Sequence, residues 1–252
     1  MTSSHSVRGN FSLGTLRTTT SHTIAIPHLV ELLREVPSGA PAEQYREAVV
    51  DGNVLGRPTQ TGRLRSFRHL RELYLLDPRR VEFTALRHFW EIDPSSRPLL
   101  AGVLAFTRDE VLRASYGAIA GHPSGASVTS GDLTAAVAAR FGNEMSDSTL
   151  GKAGRNTGAC WTQTGHLSGR AKKVRTEVDA RPAAVAYAAY LGHLGGRRGL
   201  GVLDNPWSEI LEIAPGRHLE ALREAHTQGF LDLLVAGNVV DLSFPALGGG
   251  GA

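Results

Sequence analysis

Six cations and no acid lie between Ser148 and Thr176: Lys152, Arg155, Arg170, Lys172, Lys173 and Arg175. Four of them crowd into HLSGRAKKVRTEV, residues 166–178, where the first acid is Glu177. Guanidinium and ammonium groups held this closely without counter-charges suit phosphate oxygens, which accept charge-assisted hydrogen bonds and give up counterions when neutralised. Asn156 and Gln163 fall in the same window, and such amides can pair bidentately with an adenine edge. The chemistry these types offer is non-covalent recognition of a polyanion.

A helix and a strand pair are needed to aim them. Set at about 100 degrees per residue, residues 149–163 separate into two faces. Leu150, Ala153, Thr157, Cys160 and Trp161 fall on one side, as a core face would. Lys152, Arg155, Asn156, Ala159 and Gln163 fall on the other. Gly151, Gly154 and Gly158 oppose the helix at about 1 kcal/mol each, and their shared stripe suggests close backbone packing. Ahead of this helix, Thr129 and Asp132 are spaced as a capping box, Gly142 ends the first helix, and Ser146 or Asp147 can cap the second. Behind it, Gly165 and Gly169 mark turns, and Val174, Thr176 and Val178 alternate with polar neighbours as a short hairpin does. Residues 127–179 therefore read as a winged helix-turn-helix, with Lys152, Arg155, Asn156 and Gln163 approaching a groove of the duplex and Arg170, Lys172, Lys173 and Arg175 on phosphates.

The remainder reads as mainly α. Helical periods are expected over His22–Val36, Ala42–Val50, an arginine-rich stretch ending at Asp77-Pro78, residues 79–91, and one long helix from Pro98 to Ile119. After the winged helix, a helix opens with Pro182 in its first turn, short helices follow around 207–211 and 215–228, and apolar runs flanking Ala236-Gly237-Asn238 signal a β-hairpin. The organisation expected is a flexible arm at 1–20, a helical domain at 21–120, a linker at 121–127, a winged-helix and C-terminal helical and hairpin domain at 128–247, and a glycine tail at 248–252.

Composition bounds the function. With 252 residues and 41% hydrophobic content the chain can bury a large core, and 27 Lys and Arg against 24 Asp and Glu leave a net charge of +3. So small a net charge means that any attraction to polyanions comes from clustering. One cysteine excludes an internal disulfide, and none of the ten histidines is spaced as HxxxH, so neither a metal site nor another cofactor is expected. Trp90, Trp161 and Trp207 read as core anchors. The N-terminus lacks the apolar core of a secretory signal, and no run approaches the roughly 20 apolar residues of a membrane helix; a cytoplasmic protein without membrane contact is expected. Walker, GxSxG, HExxH and strand-linked Rossmann patterns are missing, which argues against an enzyme.

Three stretches taken together resemble a known family. NVLGRPTQTGRLRSFRHLRELYLL at 53–76, the winged-helix-like centre, and HLEALREAHTQGFLDLLVAGNVVDLSF at 218–244 resemble the BrxA-type proteins of bacteriophage-exclusion (BREX) defence. The likeness spans about residues 22–244 in the order and type of segments. It implies a non-catalytic, helix-rich DNA-binding component of a prokaryotic anti-phage system, working beside a DNA methyltransferase, a phosphatase-like protein and an ATPase. The segment from Asn53 with Arg57 and Arg63 aligns most readily, making those two arginines further candidates for nucleic-acid contact. Surface ion pairing is an equally good account of the seven arginines at 57–80.

The expectation is a component that binds duplex DNA with low sequence specificity, since three glycines and an alanine on the reading helix offer little base discrimination. Its alternative is an adaptor between defence proteins, DNA contact being incidental. Single-stranded RNA fits less well, because only Trp161 and His166 lie near the cations as stacking rings.

Overall fold

Cap and turn residues cut the chain into short helices, ten α-helices in the part that the computed structural model describes, Phe11 and residues 13–247. Six fill the N-terminal half: α1 (Ile26–Glu35), α2 (Ala42–Val50), α3 (Gln60–Tyr74), α4 (Val81–Ile92), α5 (Arg97–Arg108) and α6 (Glu110–Ala120). The first starts four residues later than its period predicts, because Ala25 takes a left-handed conformation (φ 52°). The residues before it are committed elsewhere. Thr23 O accepts from His69 Nε2 at 2.6 Å, Ile24 O from Tyr74 Oη at 2.5 Å, and the Ile24 N–H points to Cys160 Sγ at 3.3 Å.

The single long helix expected over 98–119 is broken at Asp109 into α5 and α6. Its side chain caps α6 through the N–H groups of Val111 and Leu112, at 3.0 and 2.8 Å. The same buried carboxylate accepts from the Thr19 hydroxyl and N–H at 2.7 and 3.0 Å and from the Thr18 hydroxyl at 2.5 Å. Five donors satisfy a charge that burial would otherwise make costly. Residues 13–20, expected to belong to a loose arm, are thereby held against the helices. Gly14 donates its N–H to Thr107 O at 2.8 Å, and Arg17 pairs with Glu110 and Glu144. The rest of that arm, 1–10 and 12, and the glycine tail 248–252 lie outside the described residues.

The C-terminal half runs β1 (Ser127–Val128), α7 (Ser130–Phe141), α8 (Asp147–Gln163), β2 (Leu167–Ser168), β3 (Lys173–Arg175), α9 (Pro182–Leu194), α10 (His218–Thr227), β4 (Asp232–Ala236) and β5 (Val239–Ser243). β3 is the middle strand of an antiparallel sheet ordered β1-β3-β2, with Ser127 opposite Val174 and Leu167 opposite Arg175. Ser127, expected as the last linker residue, is thus paired in a strand. β4 and β5 form the hairpin that the apolar runs predict, with Ala236 opposite Val239 and Gly237-Asn238 between them. The molecule is mainly α, with small antiparallel sheets.

At its centre is α9. Every residue from Ala183 to Leu191 is at most 4% exposed, so the helix is enclosed on all sides. Alanines at 183, 184, 186, 188 and 189 let α4, α5 and α10 approach closely, and Tyr187 satisfies its hydroxyl on Glu82 O at 3.0 Å. One buried cluster joins residues from Ile24 to Phe244 and so passes across segment 121–127. A smaller one, Val111, Val137, Phe141, Leu150 and Ala153, lies beneath α7 and α8. No helix among the described residues is long and apolar enough to cross a membrane.

Candidate nucleic-acid interface

Local chemistry fixes both ends of the α7–α8 pair. Thr129 and Asp132 form the reciprocal capping box, Gly142 closes α7, and Ser146 Oγ accepts the Thr149 N–H at 3.4 Å at the start of α8. Leu150, Ala153, Thr157, Cys160 and Trp161 are all buried, and Trp161 donates Nε1–H to Ser115 Oγ at 2.8 Å. The glycine stripe explains the closeness of the pair. A Cβ at position 154 would fall 2.1 Å from Thr134 Oγ1 and 2.8 Å from Ser130 O, so α8 can lie against α7 there only with glycine. One at position 158 would meet Leu133 Cδ1 at 3.0 Å, while nothing in the structure requires glycine at 151.

A groove of about 600 Å³ opens between the start of α7, the outer face of α8 and the β2–β3 loop. Arg155, Arg170, Lys172 and Lys173 converge on it, and no acid lines it. Gly169 makes the loop possible: it has φ 88°, and a Cβ would fall 2.2 Å from Lys172 O. Arg155, Arg170 and Lys172 are exposed, as is Lys152 one turn before Arg155 on α8. None of the four forms an ion pair or side-chain hydrogen bond among the described residues. Lys173 is half-buried, donates to Thr162 Oγ1 at 2.7 Å, and has its pKa pulled down by burial.

Six of the expected contact residues do not line this groove: Lys152 stands beside it, and the other five are engaged elsewhere. Asn156 Nδ2 donates to Thr19 O at 3.1 Å, and Gln163 Oε1 accepts the Ile26 N–H at 2.8 Å; both amides tie α8 to the segment before α1. Arg175 is only 7% exposed, donating to Ile119 O at 3.0 Å, His166 O at 3.4 Å, Thr176 O and the Glu212 carboxylate. A guanidinium whose donors are already spent on carbonyls and a carboxylate is a structural cross-link. Arg63 likewise donates to Arg57 O and Val50 O at 3.1 and 3.2 Å. Arg57 donates to Ser66 Oγ at 3.2 Å and His28 Nε2 at 3.0 Å, and lines a different cleft, between α1 and α3.

Sequence reasoning missed the contribution of β1. Ser127 and Val128 form one wall of the groove, and their β-branched and hydroxyl run up to Thr129 was the available signal. Other groups with reactive side chains are turned to structural use. Burial pushes the Cys160 thiol far up, away from thiolate chemistry. His166, fully buried, donates Nε2–H to Ile210 O at 2.8 Å, and burial drives its pKa down to about 4.

No protein-family model matches the chain, and no curated protein matches it.

Proposed function

We propose that the chain is a non-catalytic duplex-DNA-binding protein of low sequence specificity, in which α7 and α8 with the β1-β3-β2 sheet act as a winged helix. The observation that carries this reading is the acid-free groove on which Arg155, Arg170, Lys172 and Lys173 converge, with Lys152 beside it. Cations left without protein partners keep their full capacity for phosphate, and the loop after β2 extends the row beyond the helix. Glycine and alanine at 158 and 159 give α8 little to read bases with, so affinity would come from the backbone. Placement within a BREX-like defence system, beside a methyltransferase, a phosphatase-like protein and an ATPase, rests on the resemblance of the segments at 53–76 and 218–244.

The test is a titration of a labelled random-sequence duplex at several salt concentrations. Each phosphate neutralised contributes about −0.9 to the slope of log affinity against log salt, so four cations give a slope of about −4. Absence of binding at low salt would refute the reading.

One observation favours a second reading, an adaptor between defence proteins. On the outer face of the β4–β5 hairpin Leu234 and Val239 are 68% and 67% exposed, an uncommon disposition for large apolar side chains on neighbouring strands. Association with the companion proteins that survives nuclease and high salt, but is lost on changing Leu234 and Val239 to Ser, would establish it.

A further inference from the structure

Three of the seven arginines between 57 and 80 are not used by the fold. Arg65, Arg68 and Arg71 recur at every third residue of α3, about 60 degrees apart around its axis, and all three are exposed. None forms an ion pair or a side-chain hydrogen bond among the described residues. Arg71 lies over the Phe67 ring, a contact that leaves its N–H donors unspent. The helix offers them no partners of its own, such as Glu91 gives Arg87 and Glu144 gives Arg140. Its one acid is Glu72, half-buried in the last turn, and although it stands four residues beyond Arg68 the two do not pair. Like charges this close repel one another along the face, and a polyanion would relieve that repulsion.

One segment of chain joins this face to the α8 groove. On its α8 side, Thr19 O accepts from Asn156 and the Ile26 N–H is donated to Gln163. On its α3 side, Thr23 O accepts from His69 and Ile24 O from Tyr74. Lys152 stands one turn before Asn156 on the same face of α8, and Arg65 shares the cleft between α1 and α3 with His22. Between these two cations the chain reads TTTSHT, Thr18–Thr23, which is hydroxyls and an imidazole without an acid. Thr18 and Thr19 spend their hydroxyls on Asp109, whereas Ser21 and His22 are exposed and able to donate to phosphate. Glu110 and Glu144, beside the start of the segment, are paired with Arg17.

We propose that the outer face of α3 holds the backbone of the same duplex that occupies the α8 groove, with Arg65, Arg68 and Arg71 on phosphates and the Thr18–Thr23 segment lying beneath the DNA between the two contacts. The inference rests on the reading of the α8 groove as a duplex site and enlarges that site to two faces. Charge complementarity selects the occupant. A guanidinium with all its donors free matches phosphate oxygens, and a row of three matches a backbone that presents them repeatedly. An acidic protein surface would bring apolar anchors to its centre, and Leu64, 38% exposed, is the one large apolar side chain of α3 open to receive them.

Anisotropy titration of the full chain against a labelled random-sequence duplex of about three helical turns, at several salt concentrations, tests this. With seven cations engaged the slope of log affinity against log salt should approach about −6, where the groove alone gives about −4. R65Q/R68Q/R71Q should reduce the slope by about 3 and weaken binding on the order of 100-fold at low salt, and its urea unfolding should match the parent's because all three side chains lie in solvent. R65K/R68K/R71K, which keeps the charges, should keep the slope. With duplex in excess, one duplex should bind per chain. A parental slope in R65Q/R68Q/R71Q, beside a loss in R155A/R170A/K172A, would overturn the second face and leave the groove reading intact. A loss in the α3 variant with none in R155A/R170A/K172A would remove the groove reading and the shared track with it. Two duplexes per chain would show the faces acting separately and overturn the track. Poly-glutamate binding that R65Q/R68Q/R71Q abolishes while duplex binding is unchanged would give the face to an acidic protein instead.

Discussion

The two basic regions of the molecule differ in what their cations touch. Between Arg57 and Arg80 there are seven arginines, and four of them are engaged by other parts of the protein: Arg57 by His28 and Ser66, Arg63 by backbone carbonyls, Arg79 by Asp77, and Arg80 by Glu82. Around the α8 groove, Lys152, Arg155, Arg170 and Lys172 are exposed and without such partners. A count of charges along the chain rates the first region at least as highly as the second. The division even runs through one short stretch: Arg170 and Lys172 are open, whereas Arg175, at the centre of the sheet, is enclosed. Capacity for phosphate is set by the donors that remain unspent after folding, and number alone does not reveal it.

The comparison is easiest to break at Arg175. Replacement by Met should destabilise the fold by about 3 kcal/mol or more, because Glu212 and several carbonyls lose their buried partner. Urea unfolding would measure it, and a variant as stable as the parent with weakened DNA binding would place Arg175 among the contact residues after all. His166, in contact with the same network, gives a pH-dependent version. Burial holds its pKa at about 4, against about 6.5 in an unfolded chain. As pH falls below about 6.5 the unfolded state gains a proton that the folded state refuses, so stability declines until about pH 4, by at most about 3 kcal/mol. His28, His69, His88 and His193 are also lowered by burial and act in the same direction. Unfolding midpoints across this range should fall in the parent and fall less steeply in H166Q.

Changing Arg155, Arg170 and Lys172 together to Ala should weaken duplex binding on the order of 100-fold at low salt and reduce the salt slope by about 3, with unfolding unchanged. R63A sharpens the contrast: a loss of about 1 kcal/mol in stability with the salt slope intact. The smallest effect is that of K172A alone, a reduction in slope of about 1, read from the same titration. A slope unaffected by the triple variant would remove the distinction between spent and unspent cations as an explanation of function.

Much of the architecture was legible in the chain because it is set by near neighbours. The capping box at Thr129 and Asp132 closes over three residues, the periods of α2 and α8 follow from side chains three and four apart, and the turn at Gly237-Asn238 needs only the two strands beside it. Lys152, Arg155, Arg170 and Lys172 stood out for the same reason, as a local excess of charge.

Features set by residues distant in the chain were not legible in this way. The break at Asp109 depends on Thr18 and Thr19, about ninety positions away in the chain. The fate of Gln163 depends on Ile26, and that of Arg175 on Ile119 and Glu212. The cleft between α1 and α3 gathers His22, Arg57, Arg65 and His69 from two separate segments. Helix caps, periods and turns are decided by interactions within a few residues, so the sequence by itself determined the elements and the supply of cations. Whether a given guanidinium or imidazole keeps its hydrogen-bonding capacity is decided by the partner that packing brings to it, and only the tertiary structure could name that partner.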